Sequence, residues 1–394
     1  MKNSDIFSND SIYIAHTYNR FPVAVENGHG ASATDFDGKQ YIDFGSGIGT
    51  NSLGFCNEEW IRAVTAQLKK MQHASNLFYT QPAAVLAKRL CEETGYCKVF
   101  FGNSGAEANE GAIKIARKFG TQNKEKNCNC IITLENSFHG RTITTLAATG
   151  QDVFHQYFTP FTGGFRYVPA NDRKALANAV DNSVCAVMIE LVQGEGGVVA
   201  LDREYVKYVE QLCKKNGILL IVDEVQTGIG RTGTLLCCEQ YEIHPNVITL
   251  AKGLGAGLPI GAILMDDLTE NVFQPGQHGS TFGGNPVVCA GAIEVMNQVC
   301  NEKFLSDVKI KAQYLNEQIA SLPGVIGVSG LGLMIGISLE EGLNVQDIAK
   351  CCVENGLLIL TAKKKLRILP PLNITFDEID RGMSILRHSL ISKK

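Results

Sequence analysis

The chain has 394 residues, a net charge of −4, 40 glycines and only 19% charged residues. At about 150 residues per domain it holds two or three domains, with enough chain to bury a large core. The charge argues against nucleic acid as the main partner, because phosphate binding needs a basic patch and the longest Lys/Arg run is Lys363-Lys364-Lys365.

The start, Met1 to Asp10, is polar and lacks the apolar stretch of a signal peptide. Aliphatic runs such as Ile218 to Val222 are far too short to span a membrane. The 13 cysteines include no C-x-x-C pair, so zinc-ribbon and thioredoxin readings fail and no metal site is expected. Scattered unpaired thiols suit a reducing compartment, so the expected location is the cytoplasm.

Residues 1–50 read as an irregular arm, with short extended runs over 31–35 and 40–44 around the turn signal Asp35-Phe36-Asp37-Gly38-Lys39. Ile61 to Met71 reads as a helix. From about residue 85 to 265, short apolar runs alternate with helical stretches: Lys98–Phe101, Cys130–Leu134, Val184–Ile189, Ile218–Val222 and Val247–Leu250. Such runs lack polar alternation and mark strands buried on both faces of a parallel sheet. The helical stretches 106–119 and 204–216 lie between them, as in a doubly wound α/β domain. Beyond residue 300, Leu305, Val308, Ala312, Leu315, Ile319 and Leu322 follow a helical spacing. Residues 325–339 read as short glycine-interrupted strands. Thr375-Phe376-Asp377-Glu378 is a capping box that opens a last helix. The expected division is an arm and part of a small domain over 1–50, a large domain over 51–285, and a smaller α+β domain over 286–394.

Ligands of open parallel sheets bind beyond the carboxyl ends of the strands. Small residues, Gly102-Asn103-Ser104-Gly105-Ala106, follow the first run and open a helix. They make either a phosphate cradle or a plain cap by Ser104. Ser137-Phe138-His139-Gly140-Arg141 follows the second; its aromatic could stack on a planar ligand and its arginine could hold a carboxylate, or the segment is a packing corner. Asp223 ends the run at 218–222, where burial demands a cationic partner. A protonated pyridine nitrogen is one; a salt bridge to Arg231 is another. Lys252, between small residues just past a strand, is either a loop lysine or a partly desolvated, nucleophilic amine. Together these residues form the set that pyridoxal phosphate needs. A dinucleotide reading of Gly45-Ser46-Gly47-Ile48-Gly49 lacks the third glycine at the right spacing.

On these residues the chain resembles the class III pyridoxal-phosphate aminotransferases of fold type I, and within them the acetylornithine aminotransferases. The likeness runs from about Tyr18 to Asp380. It rests on the segments at 101–110, 138–142, 193–197, 223–233, 251–255, 278–286 and 367–372. The resemblance implies that Lys252 holds the cofactor aldehyde and shuttles a proton. Asp223 would pair with the ring nitrogen, Gln226 would bond the ring hydroxyl and Phe138 would stack on the ring, with Glu224 and Val225 in the same cofactor loop. Ser104, Gly105 and Ala106 would hold the phosphate, joined by Thr281 from the other subunit of a homodimer. Arg141, helped by Ser280, would hold the substrate carboxylate.

It also implies a switch. Both ends of 2-oxoglutarate are carboxylates, whereas a blocked ornithine has one carboxylate and an amine. Arg367 would then be left unpaired in one half-reaction, which is costly for a buried charge. Glu195, bracketed by Gly194, Gly196 and Gly197, would pair with it then and swing away for the dicarboxylate. The two residues are far apart in sequence, so spacing alone leaves them a solvated glutamate and a strand arginine with another partner. The chain departs from the family pattern at Glu190-Leu191, where Glu-Pro is usual, and at Leu53-Gly54-Phe55-Cys56-Asn57. The expected reaction takes the δ-amine of N2-acetyl-L-ornithine to 2-oxoglutarate. Succinylornithine, ornithine, 4-aminobutyrate or succinyl-diaminopimelate as donor, an aminomutase, and a nicotinamide oxidoreductase are the alternatives.

Overall fold

The computed structural model describes residues 1–124 and 127–393. Its centre is a seven-stranded sheet: β1 (Lys98–Gly102), β2 (Cys130–Leu134), β3 (Phe165–Val168), β4 (Val184–Ile189), β5 (Leu219–Asp223), β6 (Val247–Leu250) and β7 (Gly261–Met265). The spatial order is β1-β7-β6-β5-β4-β2-β3. Strands β6, β5, β4, β2 and β3 run parallel, and β7 lies antiparallel between β6 and β1.

Successive residues of a strand face opposite sides of the sheet, and here both sides are covered. Ile132, Val187, Leu220, Val222 and Ile248 join the larger core, which also takes Tyr205, Val206 and Val209 of the helix Arg203–Asn216. Ile131, Met188, Leu219, Ile221 and Val247 join the other, with Ala108, Ala112 and Ile115 of the helix Gly105–Asn123. This double burial is why these strands lack polar alternation.

The sequence reading missed β3 and β7. In β3, Arg166 and Tyr167 break the apolar run. β7 follows the lysine loop so closely that no helix separates it from β6, and it therefore pairs antiparallel. Residues 1–50 are also more ordered than an irregular arm. They form a helix, Asn3–Tyr13, and the strands Val25–His29, Ser32–Asp35 and Gln40–Asp43. The last of these pairs in parallel with Leu357–Leu358, so the two ends of the chain share a sheet.

The strands Val325–Leu331, Met334–Leu339, Leu360–Ala362 and Lys365–Ile368 make a second antiparallel sheet. Helices Glu302–Ala320, Val345–Glu354 and Phe376–Ser392 accompany it. The capping box is formed: Thr375 Oγ1 accepts from Glu378 N–H and the Glu378 carboxylate accepts from Thr375 N–H at 2.9 Å. Among the described residues no helix is long and apolar enough to cross a membrane.

Candidate active site

The carboxyl ends of β2, β4, β5 and β6 open into one cavity of about 420 Å³, within the range of small-molecule sites. Lys252 stands in its wall, two residues after β6, on a short turn spanning Lys252–Leu254. The backbone there turns left-handed, with φ of +41° at Lys252. A non-glycine residue held so costs about 1–3 kcal/mol, a strain typical of functional positions. Burial pushes the amine below the ordinary lysine range, while Glu195 and Asp223 pull it back toward the charged form. A lowered amine pKa raises the nucleophilic fraction.

Asp223 ends β5 and is almost wholly buried. Its Oδ2 accepts from Asn109 Nδ2 at 2.7 Å and contacts His139 Nδ1 at 2.8 Å, and its Oδ1 accepts from the N–H of Val225 at 3.0 Å. Asn109 is held in turn by Thr249 of β6, whose hydroxyl donates to Asn109 Oδ1 at 2.7 Å. Burial opposes charge on His139, but the Asp223 carboxylate outweighs it and raises the imidazole above its usual range. Asp223 thus has partners other than Arg231. That arginine donates instead to the carbonyls of Leu333 and Pro370.

The helix Gly105–Asn123 aims its N-terminus at the cavity, and Asn103, Ser104, Gly105 and Ala106 line it. Ser104 does cap this helix, its Oγ accepting from Glu107 N–H at 3.1 Å. The cap leaves other first-turn N–H groups free for an anion, and the helix dipole favours negative charge there. Gly105 is required on steric grounds, because a Cβ would lie 2.6 Å from Val225 Cγ1. Gln226 also lines the cavity, and its Oε1 is buried without a partner.

Phe138 and Arg141 also line the cavity. Glu195 enters from the glycine-rich loop, and its Oε1 accepts from Arg367 Nη1 at 2.5 Å. Arg367 lies on the strand Lys365–Ile368 and is buried, and its Nε has no partner. Residues 172 positions apart therefore meet, and Glu195 of the pair lines the cavity while Arg367 stands behind it.

Besides Arg367, three expected residues lie outside the cavity wall. Thr281 is exposed and, with Ser280, lines a separate hollow beside the cavity. Ser280 Oγ accepts from Asn103 Nδ2 at 3.1 Å, which ties that hollow to the cradle. Glu224 turns its carboxylate away, accepting from the N–H groups of Cys237 and Cys238 at 2.6 and 2.8 Å. Burial raises it to about 7.

Sequence reasoning overlooked Asn109, His139 and Glu190. All three line the cavity, and Glu190 accepts from Phe138 N–H at 2.8 Å. Burial pushes Glu190 up to about 8. A signal for Asn109 existed: an amide on the apolar face that carries Ala108, Ala112 and Ile113 needs a buried partner. Glu190, at the end of an all-apolar strand, carried the same signal as Asp223.

Lysine, carboxylate, aromatic, anion cradle and unpartnered amide fit a phosphorylated pyridine aldehyde. Residues 13–390 match the family model described as aminotransferase class-III. The acetylornithine aminotransferase of Haemophilus ducreyi is 52% identical over 391 residues, covering 99% of each chain. An N-acetylornithine aminotransferase structure from Stenotrophomonas maltophilia matches with a TM-score of 0.85 at 34% identity, covering 98% of both chains. An ornithine aminotransferase structure from Toxoplasma gondii, described with partial occupancy of PLP at its active site, matches with a TM-score of 0.95. It is 33% identical and is covered over 95% of its length by the whole of this chain.

Proposed function

The chain belongs to the class III aminotransferases, and from that premise we propose that it moves the δ-amino group of N2-acetyl-L-ornithine to 2-oxoglutarate. The products are N-acetyl-L-glutamate 5-semialdehyde and L-glutamate, a step of arginine biosynthesis. The cofactor is pyridoxal 5′-phosphate, which when bound supplies an electron sink for the carbon that loses its proton. The working unit is a cytoplasmic homodimer. The chain divides into an arm with part of the small domain over 1–50, a large cofactor domain over 51–285 and a small domain over 286–394.

One observation carries the reading. A single lysine faces a cavity served by two arginines of unlike state, Arg141 without a carboxylate partner among the described residues and Arg367 closed by Glu195. A monocarboxylate donor needs only the first. A dicarboxylate acceptor needs both. Ornithine itself would bring an unblocked α-amine, and the 52% identical relative is named for the acetylated substrate.

Lys252 would hold the aldehyde and move the proton at the reacting carbon. Asp223, fixed by Asn109 and His139, would keep the pyridine nitrogen protonated. Gln226 would bond the ring hydroxyl and Phe138 would stack on the ring, with Glu224 and Val225 in the same loop. The N–H groups at Ser104, Gly105 and Ala106 bind the phosphate together with Thr281 of the partner subunit. The exposure of this chain's own Thr281, outside its own cavity, supports that exchange. Arg141 and Ser280 take the donor carboxylate, and Glu195 swings off Arg367 when the dicarboxylate enters.

The test is a half-reaction screen on the cofactor-loaded protein. One amine is added at a time and bleaching of the yellow colour is followed. N2-acetyl-L-ornithine and L-glutamate should bleach it. Rapid bleaching by ornithine or 4-aminobutyrate, with acetylornithine inert, would overturn the assignment.

A further inference from the structure

The two arginines at the cavity are stored in different ways, and the difference assigns a role to a residue outside the cavity wall. Arg367 is held edge-on by a carboxylate. Arg141 is held by rings: its Cζ lies over Phe154, 4.2 Å from the centroid, and over Phe138 at 5.5 Å. The two rings meet edge to face at 5.9 Å and 73°. Phe154 ends a short turn, Asp152–Phe154, and is half-buried, while Arg141 is exposed.

A guanidinium binds rings through its flat face and carboxylates through its N–H edge. Storage against a ring therefore leaves the carboxylate-binding edge open. Storage against Glu195 closes it, and that pair must break before another carboxylate can bind. An exposed arginine left free would also sample many rotamers, and ordering it costs entropy at the moment of binding. A ring that fixes its plane beforehand removes part of that cost.

We infer that Phe154 is a positioning residue that holds Arg141 against its ring with no acid bound, so that the donor's carboxylate engages it without displacing one. The inference rests on the reading of Arg141 as the donor-carboxylate receptor. It assigns the Arg141 receptor an aromatic determinant distinct from the acid that holds Arg367.

The experiment compares wild type with Phe154→Leu, Phe154→Tyr and Arg141→Ala as loaded enzymes, by single-turnover bleaching with N2-acetyl-L-ornithine and with L-glutamate. In Phe154→Leu the half-saturating acetylornithine concentration should rise roughly three- to thirty-fold, the span of a lost cation–π contact. The half-saturating L-glutamate concentration should rise as well, because the dicarboxylate also uses Arg141, while both limiting rate constants stay near wild type. Phe154→Tyr keeps the ring and should restore affinity. No change in affinity for either substrate in Phe154→Leu, or a loss confined to the limiting rate constants, would overturn the role of Phe154. Should Arg141→Ala leave acetylornithine affinity intact, the receptor reading itself fails. A large Arg141→Ala effect beside a silent Phe154→Leu discards Phe154 alone.

Discussion

Charge states in the cavity are set by burial and neighbouring charges in competition. Lys252 is the clearest case, because desolvation lowers its amine while Glu195 and Asp223 limit the fall. Lys252→Ala should abolish covalent cofactor attachment and cut turnover by at least ~10²–10⁴-fold, the typical worth of positioned acid–base action. Borohydride reduction followed by peptide mapping checks it; a label on another lysine would contradict it. Glu190 gives a pH signature. Burial raises its pKa from the ordinary glutamate range to about 8. The native state then binds a proton that the unfolded chain has already lost, so stability falls as pH rises from about 4.5 toward 8. Glu190→Gln cannot lose that proton. Its unfolding free energy relative to wild type should therefore grow between pH 5 and 8, by at most about 1.4 kcal/mol per pH unit, and level off above. Urea titrations across that range measure it, and a constant difference would refute the protonated state.

At the scale of the element, the helix Gly105–Asn123 does two jobs. Its apolar face covers one side of the sheet, and its N-terminus meets the cavity. The junction is tight because Val225, just past β5, fills the space where a side chain at 105 would sit. Gly105→Ala should overpack this contact by about 1–3 kcal/mol and weaken cofactor binding about five-fold or more. Fluorescence titration of the apoprotein with pyridoxal phosphate provides the measurement; unchanged affinity would show that the cradle tolerates a Cβ. Element starts were legible where side chains cap them. Thr375-x-x-Glu378 placed the last helix to the residue. The strands β3 and β7 were not, since neither flanking chemistry nor run length distinguishes them from their surroundings.

Across the whole molecule, Arg231 joins the large sheet to the C-terminal one. It sits in the loop after β5, is 2% exposed, and donates through Nη1 to Leu333 O at 3.1 Å and Pro370 O at 2.5 Å. Leu333 precedes the strand Met334–Leu339, and Pro370 follows the strand that carries Arg367. Burial pushes Arg231 down to about 9, and the Asp43 carboxylate opposes that fall. Arg231→Met leaves Asp43 without this counter-charge. It should cost about 1–3 kcal/mol of stability for each buried carbonyl left without its donor, and raise KM for L-glutamate more than for acetylornithine. Chemical denaturation and steady-state kinetics test the two parts. A variant as stable as wild type would show that the two carbonyl contacts and the charge are dispensable.

The sequence by itself determined the parallel core, the capped helices and which polar residues stand at strand ends, because each follows from local periodicity or from a charge placed where burial is unavoidable. The resemblance to class III enzymes named their roles. What only the tertiary structure decided is which of these groups touch. Asn109 and His139 close on Asp223 across 114 and 84 residues, and Glu195 finds Arg367 across 172. Arg141 lies on Phe154 through a turn that no periodicity predicts. A hydrogen bond depends on distances of about 3 Å and on direction. A one-dimensional pattern carries neither once the partners lie on different strands.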